Sequence, residues 1–451
     1  MRILFAEDNS KFGKLIKYML ENQMNIKKIL ILLGMVLFFC GMPNPAYAQS
    51  EPLTIADSIR LALTHSPAIK AAKAETAKAS WLVKENHSAY LPILSANHVQ
   101  TQNQPGVANS RSSFIEAKTT LYSGGLNEGL IVQARELYTG VQYNLAYVTQ
   151  QVITNTYLTY YNVLQAEKNV NLAEEAVQRL TQHLSIVEAQ YAEGIVIKSD
   201  VLRTEVELAQ AKQNHSKAQN AYKLASSQFI TLLGLPADQN ITFADTGELP
   251  AYDGTVAQAV QTALARRTDL KQTFQEEKAA QQGIRIAQSG HLPTVSLSLR
   301  KEWQNQEFSA DPWSAQVAVS LSIFDGSKTK AKIKQAKWET ARTHELLQQK
   351  TEQITLETKE AYFNMQNART AVAIAFQVVA KAEEDYEIAQ VRYQAGVGSN
   401  LDVIDSQGAL TSAKLNYTNA RYDYNKYSVQ LAQAMGTITE DDIHDKEQTA
   451  H

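Results

Sequence analysis

The chain has 451 residues, 44% of them hydrophobic and 20% charged, with a formal net charge of -3. That is enough for two or three ordinary domains and a large core, and it is not basic enough to suggest a nucleic-acid surface. Cys40 is the only cysteine, and it lies within the apolar leader described next. No disulfide or thiol chemistry is therefore expected of the mature chain.

Lys27 and Lys28 precede an apolar run from Ile29 to Phe39, and Ala46-Tyr47-Ala48 precedes Gln49. A positive stretch, a short apolar core and a small-residue site make a secretion signal, and the run is too short for a comfortable membrane span. Phe39 occupies the position where lipoprotein processing wants a small residue before cysteine, so no lipid anchor is expected. Removing residues 1–48 leaves 37 basic against 43 acidic residues, a net charge of -6. Residues 1–23 stand apart. Glu7, Asp8 and Asn9 resemble the first strand and acidic pair of a receiver domain whose remainder is missing, so no phosphorylation role follows. A misplaced start, with Met24 the true one, is the expectation.

The mature chain is a duplication. Ser58 to Lys70 matches Ala259 to Lys271, and Leu91-Pro92 matches Leu292-Pro293, both at an offset of 201. From Tyr122 and Phe324 onward the offset is 202: Gln133 and Ala134 match Gln335 and Ala336, Tyr160 and Asn162 match Tyr362 and Asn364, and Gly234 matches Gly436. Such a register means two copies of one unit. The expected organisation is an extraneous extension (1–23), a signal peptide (24–48), a first repeat (49–235), a linker (236–254), a second repeat (255–436) and a polar tail (437–451).

Each copy reads as helix, strand, loop, strand, very long helix, turn and returning helix. The long helices are expected from about Leu126 to Glu193 and from Lys328 to Gln394. At 1.5 Å per residue each is on the order of 100 Å long, the dimension of a coiled coil or helical tube. The returning helix carries a seam at Val201, Leu208, Ala211, Ala218, Tyr222, Ala225, Phe229 and Leu232. Its second copy is Val403, Leu410, Ala413, Ala420, Tyr424, Tyr427, Leu431 and Ala434. Threes, fours and sevens of this kind pack knobs into holes.

Between each pair of helices the turn repeats: Tyr191, Gly194, Asp200 and Val201 return as Tyr393, Gly396, Asp402 and Val403. The glycines supply a permissive helix end, and Ser199 or Asp200, with Asn400 or Asp402, suit the start of the next helix.

The strands alternate. Val295, Leu297 and Leu299 share one face against Ser296, Ser298 and Arg300. Ala315, Val317, Val319, Leu321 and Ile323 alternate with Gln316, Ala318, Ser320 and Ser322. In the first copy Ile115, Ala117, Thr119 and Leu121 alternate with Glu116, Lys118 and Thr120. One apolar and one polar face over about ten residues is the pattern of a transmembrane barrel strand. The loops 103–111 and 304–312 are polar and are expected to face outward. Four strands cannot close a barrel, and an open edge cannot sit in lipid. Several chains must share one barrel; eight and twelve strands both remain open on physical grounds.

With these features the chain resembles the TolC-type outer-membrane efflux proteins over essentially all of residues 51–436. The resemblance implies a mainly α fold with a small β part, in which a homotrimer makes a 12-strand barrel in outer-membrane lipid above a periplasmic α-barrel. It implies an exit duct for tripartite efflux or type I secretion, partnered by a periplasmic adaptor and an inner-membrane transporter of RND, ABC or MFS type. It places Asp402 and Asp405 at a pore constriction and Asp200 and Tyr393 at the contacts that hold the closed state. Gly194, Val201, Gly396 and Val403 fall at the tips that meet the adaptor. The family's arginine after that tyrosine is replaced by Gly398, so the closing network is altered. Capping of the helix start is the plainer role for Asp402 and Asp405.

No enzyme is expected. The nine histidines are scattered without metal-ligand spacing, and no phosphate loop or nucleophile elbow appears; neither metal nor cofactor is implied. A periplasmic adaptor is the competing reading, weakened by the duplicated hairpin and lipid-type strands. A coiled-coil scaffold comes third, because it leaves the strands and the signal unexplained.

Overall fold

About three-quarters of the described helical length lies in two hairpins, and the reason is local. In the computed structural model, helix α3 runs from Leu126 to Ala192 and α7 from Lys328 to Gln394, each 67 residues without a break. The returning helices are α4 (Lys198–Leu233) and α8 (Asn400–Ala434). Short helices precede each strand pair: α1 (Ile55–His65) and α2 (Pro67–Ser88), then α5 (Val256–Arg266) and α6 (Thr268–Gln288). The structure describes residues 52–102, 104, 110–236, 241–245, 252–304 and 313–438, almost all within the unit Leu53–His451. The expected leader, extension and most of the tail, loops 103–111 and 304–312 and linker lie outside them.

Every seam position expected on the returning helices is buried or half-buried. Helix α3 packs against α4, α6, α2 and α8, and α7 against α8, α6 and α5. At mid-height Ile59, Tyr157, Tyr160, Tyr161, Phe229 and Leu233 form the largest core cluster. The linker contributes to it: Phe243 meets the rings of Tyr160 and Phe229 edge-on, and Leu53 bridges to Phe243. The Tyr160 hydroxyl reaches the carbonyls of Leu53 and Ala244, and burial pushes its pKa up. Linker residues 241–245 are thus part of the core.

Strands β1 (Ile93–Thr101), β2 (Ser110–Tyr122), β3 (Thr294–Gln304) and β4 (Trp313–Ser320) form one antiparallel sheet in that order. Register puts Ala315, Val317 and Val319 opposite Leu299, Leu297 and Val295, and these opposite Ala117, Thr119 and Tyr122. Leu94 and Ala96 continue the same face through Ala117 and Ile115. Trp303 and Trp313 lie on it at the end away from the helices. The other face is polar, with Arg300 paired to Glu302 and stacked over Phe114. Leu321 and Ile323, expected on the last strand, fall just beyond its end at Ser320, where the chain turns toward α7. Ile323 is 95% exposed and Phe324 84%.

The two short-helix junctions are locked by different chemistry. Ser66 caps α2 by accepting from the Ile69 amide. Its repeat mate, Arg267, grips Asp269 through two nitrogens and Glu357 on α7 through a third, while Lys350 also reaches Asp269. Burial works to raise the Asp269 pKa, but the bonds from Arg267 and Lys350 outweigh it and hold the carboxyl below its ordinary value. Replacing Arg267 by Met leaves the buried Asp269 carboxylate with Lys350 alone, and a loss of about 3–5 kcal/mol is expected. Urea titration of the intact protein measures it. Because the folded pKa is depressed, this contribution is present above the unfolded carboxylate value and fades as pH falls through the folded one, below about pH 4.

Candidate functional site

The two hairpins end in matching turns. The Gly194 amide bonds the Tyr191 carbonyl and Ile195 that of Gln190; Gly396 bonds Tyr393 and Val397 bonds Arg392. Both glycines adopt φ +75, a left-handed geometry that ends a helix cheaply only without a side chain. A Cβ at either would meet nothing within 4 Å.

The helices that leave the turns start differently. Ser399, not Asn400, is the cap of α8: its hydroxyl accepts from the Asp402 amide, and the Asp402 carboxylate accepts from the Ser399 amide, each at 3.1 Å. These bonds, the backbone one first, hold the exposed Asp402 carboxyl below its usual range. Asp405, one turn further, is also exposed. In the first copy Ile197 precedes α4 with no side-chain cap, and Asp200 sits in the first turn.

Behind the tips, Val187, Tyr386, Ala389, Tyr393, Val403 and Leu410 make a small core, with Val201 packed against it. Val403 is fully buried and Val201 half-buried. Val403 therefore shapes the tip from within, while Val201 keeps part of its surface open. The exposed apolar residues there are Ile195, Ile197, Leu202, Val397 and Leu401. Apolar residues within a two-glycine turn are the signal that could have found them, since a bare turn favours polar ones.

Asp200 and Tyr393 come together, but without a hydrogen bond between them. The Tyr393 hydroxyl is buried without a partner, and burial followed by the Asp200 charge raises its pKa. A polar link between the hairpins at the tips runs instead through Asn400, which is bonded to His183 on α3 and Thr204 on α4. Gly398, at the position of the expected arginine, has no room for any side chain. A Cβ there would lie 2.9 Å from the Tyr393 nitrogen and 3.0 Å from the Arg392 carbonyl carbon.

No helix among the described residues is long and apolar enough to cross a membrane, which leaves the one-faced sheet as the element suited to lipid. Paired hairpins on the order of 100 Å long below such a sheet define the class of duplicated envelope-channel subunits. The family profile described as "Outer membrane efflux protein" matches residues 58–235 and 259–437, and the chain belongs to that family. It is an outer-membrane protein of a channel family. The chain is 23% identical over 446 residues to outer membrane protein TolC of Salmonella enteritidis, covering 93% of this chain and 88% of that one. It is 25% identical over 411 residues to protein CyaE of Bordetella pertussis, covering 88% and 86%. Its fold superposes on the CmeC outer membrane channel of Campylobacter jejuni with a TM-score of 0.76 at 17% identity, covering 90% of this chain and 94% of that one.

Proposed function

We propose that three copies of this chain close one barrel and one helical duct, the outer-membrane exit of an efflux or type I secretion system. The sheet carries this reading. It has one apolar face and, among the described residues, leaves β1 and β4 as free edges. A free edge cannot rest in lipid, so β4 of one copy must pair with β1 of the next. Three sheets of four give the family's twelve strands.

The helices support the same closure. Leu356, Phe363, Ile374 and Phe376 stand exposed along α7, as does Trp338 near its start. A row of large apolar groups on a helix of this length calls for a neighbour, and a second copy supplies one. The exposed apolar residues of the tips suit docking by a periplasmic adaptor, with an inner-membrane transporter of RND, ABC or MFS type below it. Asp402 and Asp405, three residues apart on one face of α8, would then form two stacked rings at the entrance.

Cell fractionation with chemical cross-linking tests the assembly. The expected result is a cross-linked trimer in the outer-membrane fraction. A soluble periplasmic monomer would overturn the channel reading.

A further inference from the structure

Five lysines crowd the start of α7, directly below the sheet. Lys328, Lys330, Lys332, Lys334 and Lys337 fall within one short stretch, and all five are exposed. Among the described residues none of them forms an ion pair. The carboxylates nearest in sequence are engaged elsewhere. Asp325 accepts from the Thr329 amide and hydroxyl, and Glu339 is held by Arg342.

Such a run is locally unfavourable. The first turn of a helix is its positive end and disfavours cations, yet α7 has no acidic residue there and no side-chain cap. Lys328 and Lys332, like Lys330 and Lys334, stand one turn apart, where like charges repel. The first repeat avoids this arrangement. At the matching positions α3 carries Leu126, Glu128, Leu130, Val132 and Arg135, whose two charges cancel. The lysines are thus not needed to build the helix, and an anion from outside the chain would offset their repulsion.

Their place in the fold selects the anion. Strand β4 ends at Ser320, and Ile323 and Phe324 stand almost wholly exposed between it and α7. With the sheet in lipid and the helices in the periplasm, these two side chains meet the periplasmic edge of the hydrocarbon layer. Lys328 to Lys332 follow within about 6 Å along the helix axis, roughly the thickness of a headgroup layer. Lys334 and Lys337 start lower, but helical side chains lean toward the N-terminus, which in α7 is the membrane end. Their long stems can carry the ammonium groups upward.

Assembly would leave the lysines accessible. Helix α6 packs against both α3 and α7, and by the repeat the next copy's α2 would cover α7 as α6 covers α3. None of the five matching residues on α3 is buried. The end of the covering α2 adds Lys84 and Glu85, which cancel.

We propose that the start of α7 binds the anionic phospholipids of the periplasmic leaflet, its five lysines on the phosphates and Ile323 and Phe324 among the acyl chains. The proposal rests on the channel reading above. Three copies would ring the barrel with three such surfaces and fix its height in the membrane.

Purified full-length protein in neutral detergent, titrated with fluorescently labelled phosphatidylglycerol or phosphatidylcholine of the same acyl chains, tests this. At about 0.01 M salt, where charge acts over about 30 Å, the wild type should bind phosphatidylglycerol roughly tenfold more tightly or better. Near about 1 M salt the preference should vanish. Glutamine at all five lysines should make the two lipids bind alike. Glutamine at Lys212, Lys217 and Lys223, exposed on α4, should leave the preference intact. Equal binding of both lipids by the wild type, or an undiminished preference in the five-glutamine variant, would overturn the proposal. A five-glutamine variant with altered ion selectivity in planar bilayers and unaltered lipid preference would also overturn it, placing the lysines in the duct. None of these results touches the cross-linked trimer on which the channel reading stands; a soluble monomeric wild type would sink both. Should the five-glutamine variant not assemble, Lys330→Gln with Lys334→Gln decides, and a preference that does not fall several-fold would count against the site.

Discussion

Placing tryptophan at both Gly194 and Gly396 is expected to abolish transport while assembly proceeds. Each glycine is left-handed, so any other residue there costs about 1–2 kcal/mol. That cost is local, because a Cβ at either position meets nothing within 4 Å. The bulky ring would project from the tip, among Ile195, Ile197, Val397 and Leu401, where an adaptor would have to seat. The other helix-ending glycines provide the contrast. A Cβ at Gly234 would lie 3.1 Å from the His65 Cβ, and one at Gly436 3.0 Å from the Arg267 nitrogen. Tryptophan at those two positions should reduce the amount of folded protein instead. Efflux of a reporter substrate, measured beside the quantity of cross-linked oligomer, separates the cases. Normal efflux with tryptophan at both tips would show that docking lies elsewhere.

The hairpins were legible because their determinants are local and repeated. Helix α7 spans the stretch expected for it, and α3 ends one residue before its expected end, at Ala192. A run with no proline, and in α7 no glycine either, a left-handed glycine at its end and a seam of threes and fours leave little choice of structure. The sheet was legible face by face for the same reason, since alternation has only two phases. What escaped notice was set across the sequence. Phe243, in a stretch that reads as linker, became core because Tyr160 and Phe229 needed a third ring. Val403 stands at the tip by position, yet the helical phase buries it, while its repeat mate Val201 is only half-buried. The arginine missing at Gly398 reads as a loss, whereas the turn folds so tightly onto Arg392 that no side chain fits. The polar link at the tips joins Asn400 to residues 217 and 196 positions away. His183 and Asn400 have repeat mates of different chemistry, Asp385 and Lys198, so the duplication could not reveal it.

Converting Asp402 and Asp405 together to asparagine is expected to lower cation preference and relieve block by multivalent cations in planar-bilayer recordings. In a trimer each carboxylate would face its symmetry mates across the entrance, and such rings attract and hold cations. The helix-start role is real for Asp402, whose oxygen accepts from the Ser399 amide. Asparagine preserves an acceptor at that place, so the cap survives while the charge is removed. This separates the two roles more cleanly than alanine, which removes both. The bonds from Ser399 hold the Asp402 carboxyl below its usual range. Its charge, and the block it supports, should fade as pH falls through the carboxylate range, the facing carboxylates of the ring working against the lowering by Ser399. A double asparagine variant that assembles normally and keeps native selectivity and block would eliminate the rings and leave Asp402 a cap alone.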